Sequence, residues 1–219
     1  MNRGVLALGC VALLALVGCE NKPQVGEADT SQTKEFGEKG MDTSGMGKQR
    51  DTERVNPAIT VKFIGRHKGA EPKPRHLTFI MAEGQMFMPK GEWLALESMK
   101  LGFYTEMLEV DAEASGLGKD EATKLADHLR GPDFFNAKQF GTAEFEATSI
   151  KLNEDGTGTI VGKLKLLGQT AELTIPVTHK PEEKTLEAKF DLDRTQFGMN
   201  YGLENIEEKV EVQITVKAS

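Results

Sequence analysis

The stretch Thr157-Gly158-Thr159-Ile160-Val161-Gly162-Lys163-Leu164-Lys165-Leu166-Leu167-Gly168-Gln169-Thr170-Ala171-Glu172-Leu173-Thr174-Ile175-Pro176-Val177 decides the fold. Ile160, Gly162, Leu164 and Leu166 alternate with Val161, Lys163 and Lys165. Leu173, Ile175 and Val177 then alternate with Glu172 and Thr174. A period of two gives one apolar and one wet face, the mark of a half-buried strand. The two runs are joined by Leu167-Gly168-Gln169, too short for anything but an antiparallel hairpin.

The same period spreads outward. On the C-terminal side, Leu186, Ala188, Phe190 and Leu192 alternate with Glu187, Lys189 and Asp191. Val210, Val212, Ile214 and Val216 alternate with Glu211, Gln213, Thr215 and Lys217. On the N-terminal side, Phe145 and Ala147 share a phase against Glu144 and Glu146. Further back, Ile59, Val61 and Phe63 form a run, as do Leu77, Phe79 and Met81, and Gln85 to Met88 is a shorter one. Trp93 to Ser98 and Lys100 to Met107 read as strands of lower regularity. Asn153-Glu154-Asp155-Gly156 and Lys180-Pro181-Glu182-Glu183 supply further turns. The one departure is Lys119 to Arg130, where Ala122, Leu125, Ala126 and Leu129 recur at helical spacing before Gly131-Pro132 stops the run. The expectation is an all-β domain: a closed antiparallel barrel of about eight strands, with one helical segment covering an end or an edge.

Before this domain the composition changes twice. Residues 1–18 carry Arg3 and then an apolar run from Val5 to Val17, too short to span a bilayer and suited to a signal peptide. The run ends in Leu16-Val17-Gly18-Cys19, which resembles the bacterial lipobox, so Cys19 is the expected lipidation site. Cleavage before it removes Cys10 and Arg3, leaves one cysteine, and takes the formal charge from −7 to −8. Glu20, by resemblance to Gram-negative lipoproteins, favours the outer membrane. Residues 19–54 mix charges of both signs with Gly, Ser and Thr around only four large apolar residues. They are expected to be a disordered tether, with the domain occupying 55–219.

Several function classes are excluded or weakened. A net charge of −7 over 219 residues argues against nucleic-acid binding, which needs a basic face. Four scattered histidines and two cysteines lack metal-site spacing. Gly45, Gly47 and Lys48 do not make a phosphate loop, and no nucleophile elbow is present.

Four ordered segments resemble the YceI family: His128-Leu129-Arg130-Gly131-Pro132-Asp133-Phe134-Phe135-Asn136-Ala137, Ala143-Glu144-Phe145-Glu146-Ala147-Thr148-Ser149, Val161 to Thr170, and Asp193-Arg194-Thr195-Gln196-Phe197-Gly198-Met199. Gly131, Asn136 and Gln196 depart from its pattern, and 90–118 matches weakly. The resemblance implies a lipocalin-like barrel that binds a long amphiphile, notably a polyisoprenoid, in an elongated apolar cavity, without a cofactor and without established catalysis. It further implies a place at the periplasmic face of the cell envelope. The membrane contact would be the N-terminal lipid anchor, and a homodimer stays open.

The shared inward phase of Phe63, Phe79, Phe145, Leu164, Ile175, Phe190 and Val212 makes them the expected lining of one long cavity; a filled core would show the same alternation. Gly162, Ala147 and Ala188 in that phase favour some space. Counting by twos from Leu186 aims Arg194 inward at a strand end. It is expected to be a brace paired to a carboxylate such as Asp133, the alternative being a clamp for an anionic headgroup. His128 and Asp133 close the helix, and Phe134 with Phe135 fits a core plug that a hollow barrel would also offer to a ligand. An enzyme acting on an isoprenoid or quinone precursor is a second reading, which a His128–Asp133 pair facing the cavity would favour. A non-lipid-binding envelope-stress or interaction lipoprotein with a solid core is a third.

Overall fold

Alternation becomes sheet most directly between residues 142 and 193. The computed structural model describes residues 51–69 and 72–218. The signal segment, Cys19 and the tether up to residue 50 lie outside the described residues, all of which fall in one compact unit, Gly47–Ser219. Strands β7 (Thr142–Leu152), β8 (Thr157–Leu166), β9 (Gln169–Lys180) and β10 (Thr185–Asp193) pair successively as antiparallel hairpins. Leu167 and Gly168 both take positive φ, 51° and 76°. That is the two-residue turn whose twist matches its strands. β11 (Lys209–Lys217) continues the sheet on the far side of β10.

The phase in β7 is not continuous. A bulge between Ala147 and Ser149 shifts the register against β8, so Ile150 and Leu152 rejoin the apolar face out of step with Phe145. The remaining strands are β1 (Thr52–Val55), β2 (Ala58–Arg66), β3 (Pro74–Phe79), β4 (Ala82–Pro89), β5 (Ser98–Tyr104) and β6 (Leu108–Val110). Trp93 to Ala95, expected as strand, is a 3-10 turn that buries Trp93 between β4 and β5.

All eleven strands of the described residues form one antiparallel sheet in the order β1-β4-β5-β7-β8-β9-β10-β11-β2-β3-β6. This corrects the expected closed barrel of about eight strands. The sheet curls so that β2 comes beside β4, where Ile59 lies against Gly84, but no ladder joins them. The reason is edge occupancy. β2 has β11 on one edge and β3 on the other, while β1 takes the outer edge of β4 over Met86–Pro89. The result is an open half-barrel whose seam is closed by side chains. Because β1 is paired, the sheet begins at Thr52, inside the segment expected as tether.

Helix α1 spans Lys119–Arg130, and the Glu121 carboxylate accepts from the Gly118 N–H at 2.9 Å. Ala122, Ala126 and Leu129 are buried. Arg130 ties the helix to the sheet edge: its Nε donates to the Glu106 carbonyl at 2.9 Å and its Nη2 to that of Leu108. The helix thereby covers β6, an otherwise open edge strand.

Candidate functional site

At the end of the half-barrel where β2 and β10 finish, α1 and the 201–206 loop stand over the sheet and leave a cavity of about 420 Å³. Its floor is Phe63, Leu77, Leu166, Leu192 and Val210. Its walls are Leu125, His128 and Leu129 of α1, then Phe134, Phe135, Met199, Tyr201 and Ile206. Such a volume lies in the range of about 300–1,000 Å³ usual for small-molecule sites. Deeper along the strands is a second apolar void of about 70 Å³, lined by Phe63, Phe145, Leu164, Ile175, Phe190 and Val212 among others. Phe63 and Leu192 line both spaces and form the partition between them.

Six of the seven residues expected to share a cavity therefore share the narrow void. Phe79 does not. It is 2% exposed and packs in a ring cluster, 4.5 Å from Phe103 and 5.3 Å from both Phe63 and Phe135 between centroids. The single long cavity is corrected to a wide space and a narrow one. Gly162 opens no room either. A Cβ there would stand 2.4 Å from Phe145 Cζ, because that ring already fills the gap.

Arg194 opens a 3-10 turn (Arg194–Phe197) directly after β10 and is 3% exposed, aimed inward as the phase implies. Its partners differ from expectation. Nε donates to the Glu207 carbonyl at 2.9 Å, Nη1 to Met199 at 2.6 Å and Nη2 to Ile206 at 3.4 Å. The brace is thus a guanidinium gathering carbonyls of the 199–207 loop, with no carboxylate of the described residues in contact. Burial lowers its pKa from the ordinary value, opposed by the nearby Glu208 and Asp193 charges. Asp193 caps the same turn: its Oδ1 accepts from the Thr195 N–H at 2.9 Å and its hydroxyl at 2.6 Å. These bonds hold the Asp193 carboxyl below the usual range.

Asp133, the expected partner of Arg194, meets His128 instead, with Oδ2 3.0 Å from Nε2. Both side chains are nearly half exposed. The His128 ring stands edge-on to Phe134 and Tyr201, each 5.2 Å away, which fixes it in the cavity wall. Phe134 and Phe135 are buried and line the cavity as well. The residues that alternation missed are those of the helix, the loops and the strand ends: Arg66, Arg75, Leu125, Met199, Tyr201 and Ile206. Leu125 carried a signal in its place on the apolar stripe of the helix, and Met199 in closing the family-like segment that begins at Asp193. No metal-binding cluster occurs among the described residues.

A curled antiparallel sheet with a helix over an apolar cavity defines a class of β domain built around its interior. The YceI-like domain profile matches residues 58–218, and the chain belongs to that family. Curated relatives include UPF0312 proteins of Ectopseudomonas mendocina, 46% identical over 48 residues, and Yersinia pestis, 44% identical over 48 residues. Each match covers 22% of this chain, which spans about a quarter of the length of those relatives. Among solved structures, Burkholderia cenocepacia BcnA is similar at a TM-score of 0.57 with 19% identity, covering 73% of this chain and 96% of its own. A polyisoprenoid binding domain from Saccharophagus degradans gives 0.51 with 10% identity, over 76% and 99%. The YceI protein of Campylobacter jejuni gives 0.51 with 12% identity, over 65% and 84%. These likenesses concern the fold.

Proposed function

We propose that this domain binds a long-chain amphiphile, a polyisoprenoid or similar lipid, and sequesters or carries it at the cell envelope. The observation that carries the reading is the apolar cavity of about 420 Å³ under α1, with the narrower void behind Phe63 and Leu192 as its continuation. Each methylene withdrawn from water contributes about 0.8 kcal/mol, so a dry channel holds a chain with little polar recognition. The description of the Saccharophagus degradans structure as a polyisoprenoid binding domain supports the same ligand class. Acylation of Cys19 would hold the domain beside its source of lipid, at the periplasmic face and in the outer membrane by the sorting expectation from Glu20. The test is native mass spectrometry and solvent extraction of the full chain purified from its own host. A stoichiometric lipid is expected. Protein that carries none and takes up none from vesicles would overturn the reading. Separately, Cys19→Ser is expected to release the protein from membranes without changing its folding.

One observation favours a second reading, an enzyme acting on an isoprenoid or quinone precursor: the His128–Asp133 pair on the wall of the cavity. A carboxylate that fixes an imidazole is the usual orientation of a general base. Among the described residues, the cavity lining offers no serine, threonine or cysteine beside it. Turnover of a co-purified lipid that is abolished by His128→Gln would establish this reading.

A further inference from the structure

The chain has seven arginines and a net charge of −7, yet three of those arginines, Arg66, Arg75 and Arg194, line the one apolar cavity under α1. His67 and His128 join them, and among the described residues of the lining Glu204 is the only carboxylate. Three guanidiniums around a hydrophobic space are costly unless each is satisfied. Arg66 has its charge met by Glu211, 3.2 Å from Nη2, and Arg194 spends all three of its nitrogens on the loop carbonyls described above.

Arg75 is different. Half-buried at the start of β3, it is anchored through one nitrogen: Nη1 donates to the Pro74 carbonyl at 3.1 Å and the Ser115 carbonyl at 2.9 Å. Among the described residues, its Nε and Nη2 meet no protein acceptor. Those two N–H groups form the edge of the fork that grips a carboxylate or phosphate bidentately. Ser115 is itself fixed, with its Oγ accepting from the His76 N–H at 2.9 Å.

We propose that the amphiphile held in this cavity carries an anionic oxyanion headgroup, phosphate or carboxylate, and that Arg75 receives it while the chain lies against Leu77, Leu125 and Phe134. This rests on the lipid-binding reading above and narrows it to charged over neutral lipids.

The test measures binding of dodecyl phosphate, dodecanoate, dodecanol and inorganic phosphate to the full chain. Both anionic amphiphiles are expected to bind about tenfold or more tighter than dodecanol, as one charge-assisted fork would supply. Inorganic phosphate is expected to bind far more weakly than dodecyl phosphate. In Arg75→Gln the preference over dodecanol should collapse while dodecanol affinity holds. Arg75→Lys, which retains the charge and a donor for Ser115, should keep part of the preference, and serves if the glutamine variant does not fold. Equal affinities for dodecanol and the anions in the unaltered protein overturn the headgroup inference and leave the lipid reading standing. Inorganic phosphate binding as tightly as dodecyl phosphate also overturns it, by showing a free-anion site. If no chain-bearing probe binds, both readings fall together.

Discussion

The two spaces inside this half-barrel differ in what builds them. The narrow void is walled by the middles of strands: Phe145 faces Leu164, Ile160 faces Ile175 and Phe190 faces Val212 across their ladders. The wide cavity is walled by a helix, two loops and the ends of strands. Strand middles are regular, so side chains from facing walls meet and fill the centre, leaving about 70 Å³. Strand ends splay, and the irregular segments that cap them cannot interdigitate as closely, leaving about 420 Å³. Regularity makes the core, and irregularity makes the room. The polar groups follow the same division: the narrow void is apolar apart from Glu187 at its margin, whereas the wide cavity gathers arginines and histidines.

The first way to break this comparison is at the wide end. Arg194→Ala removes bonds to three carbonyls of the loop that forms one wall. The expected loss is about 3 kcal/mol in urea unfolding, with the proposed binding of an amphiphile in the wide cavity lost as well. Arg194→Lys should recover less than half, because an ammonium cannot reach the three diverging acceptors of a fork. A melting temperature unchanged in both variants would mean that the loop holds itself and that the arginine is no brace.

The complementary substitution lies in the narrow region. At Gly162 an added Cβ meets Phe145 Cζ at 2.4 Å and the Glu146 carbonyl at 2.6 Å. The ring can turn, but the strand backbone cannot. Gly162→Ala is therefore expected to cost about 2 kcal/mol, read as an earlier urea midpoint. Ligand affinity in the wide cavity should be unaffected at temperatures where the variant is folded. A variant as stable as the parent would show the strand middles to be looser than the comparison holds.

The contrast also explains what could be read from the sequence. Alternation around Leu164 and Ile175 fixed which face of each strand is apolar, and six of its seven chosen residues do meet in one space. It could not distinguish a void from a filled core, since both present the same face. It overlooked the bulge after Ala147, where one extra residue changes the phase without any mark of composition. Closure failed as a prediction for another reason. Thr52 to Arg54, polar and short, looks like tether, yet with Val55 it supplies the backbone edge that pairs with β4 and leaves the sheet open. Inward Arg194 was legible from the count along β10, but its partners were not, because backbone carbonyls have no letter in a sequence. The wide cavity was least legible of all: Arg75 at the start of β3 meets Tyr201 and Ile206 only through tertiary placement of the 201–206 loop.

Phe63→Leu tests the partition itself. The ring stands between the spaces and packs on Phe79 and Phe103 at 5.3 and 6.0 Å. Leucine keeps the site apolar, so a cost of about 1 kcal/mol is expected. The gain should appear in selectivity. Hexadecanol should strengthen relative to dodecanol as the narrow void becomes reachable, measured as a ratio of dissociation constants. An unchanged ratio would mean that the two spaces do not communicate along the ligand path.

The smallest effect concerns the rim, where acidity should loosen one region and spare the other. The Glu211 carboxylate accepts from Lys189 at 2.9 Å, from Gln213 at 2.6 Å and from Arg66, a residue of the wide cavity, at 3.2 Å. Those donors push its pKa from the ordinary 4.5 down to about 2. A folded-state value below the unfolded one means that the contribution is complete above pH 4.5 and is lost as the pH falls toward 2. Lys189 is two-thirds exposed, so solvent screens much of the attraction. A value of about 1 kcal/mol is expected for Glu211→Gln at neutral pH. The variant should flatten the acid limb of the stability curve below pH 4.5 and leave the neutral-to-alkaline limb as it was. Hydrogen exchange should report the place: amides near Arg66 and Glu211 open first as acid is added, while those of β8 and β9 stay protected. Simultaneous opening of both regions would show that the rim and the strand middles unfold as one unit, and that the difference between them is one of shape and not of stability.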